Sequence, residues 1–244
     1  MLHPIAIVTL CLATFSAQGA LLGRAPFTPG GTDYQAYYND VLNITWVADA
    51  NLAATTSFGA SGIDAEGHMA WAAADAWIGA MNQATYLGTS EWRLPTVTDT
   101  GPPGCIFFDY SGSDCGYTVD VSTGEMAHLY YSTLGNLAAY DSSGVLRQED
   151  WGLISQGPFA HIQPYFYWYG TESAQNASQA WYFIFYDGFQ LAMGKHNQFY
   201  AWPVRDGDIA VVPAPGAIWL LGTAIGAIGW LSALRTLPRL PGRL

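Results

Sequence analysis

The longest apolar stretch of the chain lies near its C-terminus, where no charged side chain occurs from Pro215 to Leu234. In a helix, those twenty positions reach roughly 30 Å, about the thickness of a bilayer's hydrocarbon core. Three arginines follow this stretch: Arg235, Arg239 and Arg243. Because basic residues beside a membrane span are retained on the cytoplasmic side, the pattern predicts a transmembrane helix over residues 215–234 that anchors the chain.

The N-terminus carries a second, shorter apolar pattern. Residues 1–15 are free of acidic side chains, and the small residues Ala17 and Gly19 follow them, as is typical of a cleaved secretory signal peptide. We predict a signal peptide over residues 1–19, followed by a Pro- and Gly-rich linker over residues 20–31. An uncleaved anchor or a buried strand is the alternative, although the run is short for a membrane span.

Between these ends, the hydrophobic pattern predicts the strands of one domain over residues 32–208. Aromatic and β-branched residues flank Asn39-Asp40 and, later, Asp187-Gly188. Each pattern predicts a β-hairpin, the second with a two-residue type I′ turn. An aromatic strand is predicted to begin at Tyr165, and the last strand runs over 199–204, where Pro203 indicates an edge or a strand end.

A helical pattern occupies residues 67–81. Apolar residues recur there at three- and four-residue steps, which is typical of a helix packed on a core. The stripe comprises Trp71, Ala74, Ile78 and Met81, with Trp77 at its edge. Ser122 and Glu125 have the spacing of a capping box, which predicts a second helix from Thr123. The predicted fold class is α+β: a single domain rich in antiparallel strands, with two or three helices and a C-terminal transmembrane helix.

The charge distribution limits the partners of the predicted domain. The chain has 8 basic and 19 acidic side chains. All 19 acidic residues lie within residues 32–208, but only four basic ones do, which gives that range a net charge of about −15. Such a surface repels nucleic acids and anionic polymers. Neutral glycans, cations and basic partners remain compatible with it.

Export would place the cysteines in an oxidising compartment. Cys11 lies in the predicted signal peptide, so the mature chain keeps Cys105 and Cys115. We predict that this pair forms a disulfide, which would stabilise the fold by roughly 2–3 kcal/mol. A redox-active or metal-binding pair is the alternative, and the lack of a neighbouring histidine in the sequence disfavours it.

In the sequence Trp92-Arg93-Leu94-Pro95, one arginine lies between apolar residues. A buried arginine must be paired or hydrogen-bonded, so we predict a structural ion pair for Arg93, with ligand binding as the alternative. Pro95 keeps the residue before it in an extended conformation.

The domain is rich in rings, and sugar binding requires flat aromatic faces with polar neighbours. Residues 165–169 are five consecutive aromatic residues. Because alternate side chains of a strand face opposite ways, one set can pack the core while the other meets solvent. The candidates for exposed, ligand-binding rings are Tyr167, Trp168, Tyr169 and Trp202. Core packing is the alternative role for each of them.

Clustered oxygen ligands make calcium a candidate cofactor. The candidate ligands are Asp109 and Asp114 in the cysteine loop, and Asp206 and Asp208 near the end of the domain. Acidic residues are also common in turns, which is the alternative explanation for both pairs.

The sequence contains no motif for a specific reaction: no nucleophile elbow, no zinc-binding His-Glu-x-x-His and no phosphate-binding glycine loop. Glu125 and His128 would share a helix face and could hold a metal ion, but Glu125 is also the capping-box residue. Carboxylate pairs for glycoside hydrolysis cannot be chosen from the sequence alone.

The C-terminal pattern resembles the PEP-CTERM sorting signal. The resemblance is carried by Val212-Pro213-Ala214-Pro215, the apolar span and the terminal arginines. It implies that residues 209–244 are recognised by exosortase, a membrane protease-transpeptidase of bacteria that make extracellular polysaccharide. The residues of the sorting motif are Pro213, Pro215, Arg235, Arg239 and Arg243. The protein would be anchored in the inner membrane before processing and lie at the cell surface or outside afterwards.

Residues 32–208 resemble the C-terminal domain of the Legionella collagen-like protein, a widespread extracellular domain. The matching stretches, in the same order, are 38–51, 69–82, 92–96, 169–173, 180–185 and 201–208. The resemblance implies a C-type-lectin-like fold. It also implies an association with glycosaminoglycans, which the charge of about −15 disfavours here because a sulfated polymer would be repelled.

Together these patterns predict an exported, surface-anchored or secreted bacterial domain that is non-catalytic and associates with extracellular polysaccharide or a cell-surface partner. One alternative is a carbohydrate-active enzyme, which would need two carboxylates roughly 5–9.5 Å apart. The others are a structural matrix protein that associates with itself and a membrane-anchored domain without a ligand.

Overall fold

The computed structural model describes residues 20–100, 110 and 112–209. The predicted signal peptide and transmembrane helix lie outside these residues. Among the described helices, none is long and apolar enough to cross a bilayer. The described residues form two antiparallel sheets and two helices, which confirms the predicted α+β class.

The elements follow one another along the chain as β1 (Leu21–Pro26), β2 (Tyr34–Asn39), β3 (Ile44–Val47), α1 (Trp71–Gln83), α2 (Glu125–Ala127), β4 (Phe166–Ser173), β5 (Asn176–Ile184), β6 (Gln190–Gly194) and β7 (Val204–Asp206). Short 3-10 turns occur at Leu52–Ala54 and Tyr86–Gly88. A π-helix at His128–Thr133 continues α2.

The first sheet has the strand order β1-β2-β3-β7. Its first strand is formed by residues that we expected to be a linker: β1 pairs with β2 from Leu21–Asn39 to Pro26–Tyr34. The linker prediction was wrong because Gly23 and Pro26 are accommodated within β1, and only residues 27–33 form the turn that follows it. At the other edge lies β7, which begins directly after Pro203. The edge position agrees with the prediction for Pro203, but the strand itself covers residues 204–206 rather than the predicted 199–204.

The predicted hairpin around Asn39-Asp40 is confirmed, since β2 pairs with β3 across it. The Asn39 side chain accepts the N–H groups of Val41 and Leu42 at 3.1 and 3.0 Å. Asn43 has φ 52°, a left-handed conformation that asparagine tolerates better than most residues. These local bonds explain why the chain reverses at this point.

The second sheet has the order β4-β5-β6. The β5–β6 hairpin is confirmed, but the two-residue turn is not. The Ile184 N–H donates to the Phe189 carbonyl and the Gly188 N–H to the Ile184 carbonyl, at 2.8 and 2.9 Å, so residues 185–188 form a four-residue loop. Gly188 has φ 77° and Asp187 has no positive φ, whereas a type I′ turn requires positive φ at both central residues.

The core is dominated by rings, including five tryptophans with almost no exposed surface: Trp46, Trp77, Trp168, Trp181 and Trp202. Both faces of β4 are covered. Trp168 packs against Phe199 with ring centroids 4.4 Å apart and donates its ring N–H to the Met69 carbonyl at 3.0 Å. Tyr167 packs against Phe185 at 5.1 Å. Neighbouring side chains of β4 therefore enter different parts of one core.

Helix α1 begins four residues after the predicted start at residue 67. Its buried side chains are Ala74, Trp77, Ile78 and Met81. Trp77 is fully buried, and its ring N–H donates to the Thr56 carbonyl at 2.9 Å. Trp71, which we placed in the core stripe, is partly exposed, and Asp75 is exposed. The orientation of α1 therefore leaves Trp71 at the border of the core, packed against it but partly exposed, and turns Asp75 to solvent.

Helix α2 begins at Glu125 rather than at Thr123, and the predicted capping box does not form. Ser122 donates its hydroxyl proton to Asp120 at 2.7 Å. Glu125 instead accepts two hydrogen bonds from Arg93. A bidentate bond to a charged guanidinium is stronger than a single bond to a backbone N–H, which explains the choice of partner.

Candidate functional site

A cleft of about 380 Å³ opens beside α1. One wall is the face of α1 that carries Trp71, Asp75, Gly79 and Asn82, and the other includes residues 92–94 and Thr96. Residues four apart on a helix lie above one another, so the helical positions form a continuous wall. The volume lies within the range typical of small-molecule sites, about 300–1,000 Å³.

Trp71 is held in a fixed orientation where α1 begins. Its ring N–H donates to the Tyr169 carbonyl at 2.8 Å. The Lys195 ammonium lies 4.5 Å from the centre of the indole ring and also pairs with Glu172. The part of this tethered indole that stays exposed beside Lys195 offers a ligand an apolar surface, and little entropy is lost on binding because the ring is already ordered.

Arg93 lines the second wall and joins three distant segments. Its guanidinium donates to Glu125 at 2.8 and 2.7 Å, to Asp206 at 3.2 Å and to the Leu94 carbonyl at 3.1 Å. A further bond to Asp206 uses the remaining N–H. Because a guanidinium has five N–H donors, this network uses all of them. The ion pair expected for Arg93 is thus present.

The charges of this network keep Arg93 ionised. Burial alone would lower the pKa of Arg93, but the hydrogen bonds and charges of Glu125, and then of Asp206, outweigh it and raise that pKa above its ordinary value. Two carboxylates around one guanidinium leave the network with a net negative charge. Glu125 also accepts the Thr96 N–H at 2.6 Å, which fixes the second wall against α2.

Buried neighbours hold the second wall in place. Trp92 and Pro95 are buried, and the Trp92 ring N–H donates to the Tyr86 carbonyl at 2.9 Å. The Asn82 side-chain amide bonds both the N–H and the carbonyl of Trp92, each at 2.8 Å. Asn82 therefore lines the cleft, but its amide nitrogen and oxygen are already hydrogen-bonded to the Trp92 backbone.

Asp75 is the free charged group of the described lining. It is exposed, and within the described part of the chain it forms no hydrogen bond or ion pair. It is also the one carboxylate among the described residues that line the cleft. A carboxylate beside an indole can accept hydrogen bonds from a hydroxyl or an ammonium group of a ligand.

The rings that we expected to bind ligand do not line the cleft. All four have 0% exposure: Tyr167, Trp168, Tyr169 and Trp202. Tyr169 donates its hydroxyl proton to Gln190 at 2.6 Å, and Trp202 donates its ring N–H to the Val47 carbonyl at 2.8 Å. Burial raises the pKa of Tyr169 well above its ordinary value. The expectation of solvent exposure was wrong because both faces of β4 are covered.

The calcium pair expected from Asp206 and Asp208 does not form. Asp206 bonds to Arg93, whereas Asp208 accepts two hydrogen bonds from Arg24 at 2.6 and 2.7 Å. The two carboxylates, although close in sequence, thus serve different ion pairs. A carboxylate that accepts a bidentate guanidinium already has its charge balanced, so we correct the assignment of these residues from calcium ligands to ion-pair partners.

The cysteine loop is described in part. Cys115 is buried and disulfide-bonded. Its predicted partner Cys105 and the candidate calcium ligand Asp109 lie outside the described residues. Asp114 is buried, and one of its oxygens accepts the backbone N–H and the hydroxyl proton of Thr100, both at 2.7 Å. The Cys105–Cys115 pairing and a calcium site at Asp109 and Asp114 stay predictions.

One group among the described residues has the geometry to hold a metal ion. It consists of Asp64, Glu66 and His68, whose ligand atoms lie within 4.8 Å of one another. Its imidazole suits a transition metal better than calcium. His68 is already bonded to Asp64 at 2.9 Å, and the group does not line the cleft.

Comparisons with known proteins do not assign the chain to a family. No family model, curated protein or solved structure matches the sequence. The resemblances to a sorting signal and to an extracellular domain therefore stay predictions. The sorting-motif residues lie outside the described ranges: Pro213, Pro215, Arg235, Arg239 and Arg243.

Sequence reasoning did not find this cleft, because it placed Trp71 in the core and did not single out Asp75. A signal was available, since Trp71, Asp75 and Gly79 recur at four-residue steps. A charged residue and a glycine on the same face as a tryptophan indicate a face that is not packed. A Cβ at Gly79 would meet no atom of the described residues within 4 Å outside its own helix, so this glycine leaves the cleft open.

Proposed function

We propose that this chain is an exported, non-catalytic bacterial domain that binds extracellular polysaccharide through the cleft beside α1. The observation that carries the proposal is the combination of a tethered, partly exposed indole at Trp71 with a free carboxylate at Asp75 in one concave site. Ligand sites combine apolar and aromatic walls with a few placed polar groups. In a sugar, C–H groups pack on the indole and hydroxyl groups donate to the carboxylate.

The composition of the cleft favours binding over catalysis. Glycoside hydrolysis requires two carboxyl groups roughly 5–9.5 Å apart, and the described lining supplies Asp75. The antiparallel sheets and two helices are compatible with a C-type-lectin-like fold, which is the finer assignment that we propose for the domain.

Delivery across the membrane is the second half of the proposal. It is supported by the signal-like residues 1–19, by the apolar span at 215–234 and by the arginines after it. The disulfide at Cys115 fits an oxidising compartment. In this proposal the span holds the domain at the inner membrane until an exosortase-type protease processes it. Reporters fused on either side of residues 215–234 test the topology, and a cytosolic domain with free thiols would contradict it.

A glycan array probed with the full-length chain tests the binding. Gly79→Leu fills the cleft, whereas Ala76→Leu adds the same side chain at an exposed position of α1 that does not line it. Neither change is expected to disrupt the helix, because leucine is a better helix former than glycine and only slightly poorer than alanine. We expect Gly79→Leu to weaken polysaccharide binding by roughly tenfold or more, a loss of about 1.4 kcal/mol, and Ala76→Leu to retain it. No binding by the unmodified chain, or equal binding by the two variants, would overturn the proposal.

A further inference from the structure

The cations beside the cleft are not available to a ligand. Arg93 is the one cation in the described lining. All five of its N–H groups donate hydrogen bonds to Glu125, Asp206 and the Leu94 carbonyl. Freeing either of the two N–H groups that bond Glu125 for an anion would leave that side chain, which is 17% exposed, short of its partner. An uncompensated carboxylate in such a place is costly, so the second wall does not recruit anionic groups.

Lys195, which lies beside the cleft, is also occupied by an ion pair. Its ammonium pairs with Glu172 and lies over the indole of Trp71. This contact shows that the aromatic platform of the cleft already attracts an ammonium group, as expected from the negative face of an indole. Each cation near the cleft is therefore balanced by at least one carboxylate.

Asp75 is left as the one carboxylate of the described lining, and it forms no ion pair with the described residues. It lies one helical turn after Trp71, a spacing that separates their Cβ atoms by about 5–6 Å. One sugar ring can then pack on the indole while a substituent of the same ring reaches the carboxylate. The surrounding domain, with its excess of acidic residues, extends a negative field over the site and attracts cations.

We infer that the cleft prefers saccharides that carry a free amino group, such as hexosamine units without an N-acetyl group, over neutral and anionic saccharides. This inference rests on the proposed function, because it names the ligand class of the same cleft. The sugar ammonium donates to Asp75, and the C–H groups of the ring pack on the part of the Trp71 indole that Lys195 leaves exposed. A uronate or sulfate meets the Asp75 carboxylate and finds no free donor on Arg93.

A lysine side chain carries the same ammonium group, so a basic peptide is the competing ligand. A saccharide fits better because it presents a rigid ring to the indole and several hydroxyl groups, whereas the lysine stem is flexible and loses more entropy on ordering. The two ligands are separated by including a peptide in the test.

Isothermal titration calorimetry of the full-length chain tests the inference with four probes of similar size: a glucosamine trimer, an N-acetylglucosamine trimer, a galacturonic acid trimer and trilysine. Titrations are run below the pKa of the sugar amino group. We expect the glucosamine trimer to bind roughly tenfold more tightly than its N-acetylated form, about 1.4 kcal/mol, and the acidic trimer not to bind.

Two variants that each remove one negative charge identify the source of the preference for the amino sugar. Asp75→Asn should reduce binding of the glucosamine trimer to the level of the N-acetylated trimer and leave the latter within about twofold. Glu149→Gln removes one charge from an exposed residue that does not line the cleft, and it should keep the preference.

The outcomes separate this inference from the proposed function. If a neutral trimer binds and Gly79→Leu abolishes that binding, but no preference for the amino sugar appears, the inference fails and the proposed function stands. If no saccharide binds, both fail. Equal loss of preference in Asp75→Asn and Glu149→Gln would show a general charge effect and overturn the inference. Binding of trilysine as tight as that of the glucosamine trimer would overturn the choice of a saccharide.

Discussion

Strand β4 and helix α1 both carry tryptophans, and the structure uses them in opposite ways. Trp168 on β4 is 0% exposed, although alternation along a strand left one face free for solvent. Trp71 on α1 lines a cleft, although helical periodicity placed it in the core. The difference lies in what covers each element: Phe199 packs on Trp168 and Phe185 packs on Tyr167, on the two faces of β4, and one face of α1 stays open. A hydrophobic pattern identifies the faces of an element, but the rest of the chain decides which face is covered.

Of the variants that test this comparison, Trp168→Ala is expected to lower the free energy of unfolding most. The change removes a buried ring and its hydrogen bond to the Met69 carbonyl, so we expect the free energy of unfolding to fall by about 3–5 kcal/mol. Trp71→Ala is the matched control and should cost less than about 2 kcal/mol, because its ring is partly exposed. Urea denaturation measures both. Equal losses would contradict the opposite roles of the two rings.

Arg93→Met tests whether the second wall of the cleft depends on its ion pairs. We expect a loss of about 2–3 kcal/mol in the free energy of unfolding, because Glu125 is left half-buried without its partner. Arg24→Met provides the comparison, since Arg24 pairs with an Asp208 side chain that is 38% exposed. Breaking that pair should cost about 0–1 kcal/mol. Thermal unfolding distinguishes the two, and similar losses would count against a special role for Arg93.

The two glycines of the cleft should respond to alanine with opposite signs. Gly79→Ala should raise the free energy of unfolding by roughly 0.5–1 kcal/mol, because α1 gains helix propensity and the new methyl group enters open space. Gly170→Ala should lower it by about 1 kcal/mol, because its Cβ would lie 3.2 Å from the Cβ of Leu94. Chemical denaturation of both variants checks the sign, and a loss in Gly79→Ala would show that the helix face is packed.

The smallest effect concerns Asp187, in the loop that joins β5 to β6 in the second sheet. Burial raises the pKa of Asp187, so the folded state binds this proton more tightly than the unfolded state does. The corresponding stability is present at low pH and is lost as the pH rises through the raised pKa. Asp187→Asn should therefore gain stability relative to the unmodified chain as the pH rises above about 4.

Asp141 provides a control of opposite sign for that titration. Backbone hydrogen bonds from Val145 and then Ser143 lower the pKa of Asp141, so its stabilising effect is present at higher pH and is lost on acidification. Asp141→Asn should lose stability relative to the unmodified chain as the pH rises. Melting temperatures of both variants across the acidic range should show the two slopes, and parallel slopes would contradict the assignment.

Sequence patterns predicted the secondary-structure elements that are determined by residues close to one another in the sequence. The turn at Asn39, the hairpin at Gly188 and helix α1 each depend on residues within about one element of themselves. The edge position predicted from Pro203 depends on the missing N–H of one residue, although β7 begins after that proline rather than ending at it. Such features leave a signal in the sequence because a few neighbouring side chains fix the backbone.

The features that sequence reasoning missed depend on distant partners. β1 exists because β2 lies beside it, and nothing in residues 20–31 alone indicates that. Glu125 has the spacing of a cap, but Arg93, 32 residues away, competes for it more strongly. The cleft also depends on distant partners. The second wall, which carries Arg93, is held by ion pairs with Glu125 and Asp206, and its position determines which side of α1 stays open.

The position of β7 has a consequence for how the chain matures. Residues 204–206 close the first sheet beside β3, and the Thr45 hydroxyl donates to the Gly207 carbonyl across 162 residues. Asp206, in the same strand, completes the network of Arg93. A nascent chain therefore cannot finish this sheet until nearly the whole domain has left the ribosome. Contacts of such long range slow folding, so the domain is expected to reach its native state in a late, single step after synthesis, and a chaperone that keeps the unfinished sheet from aggregating would act before that step.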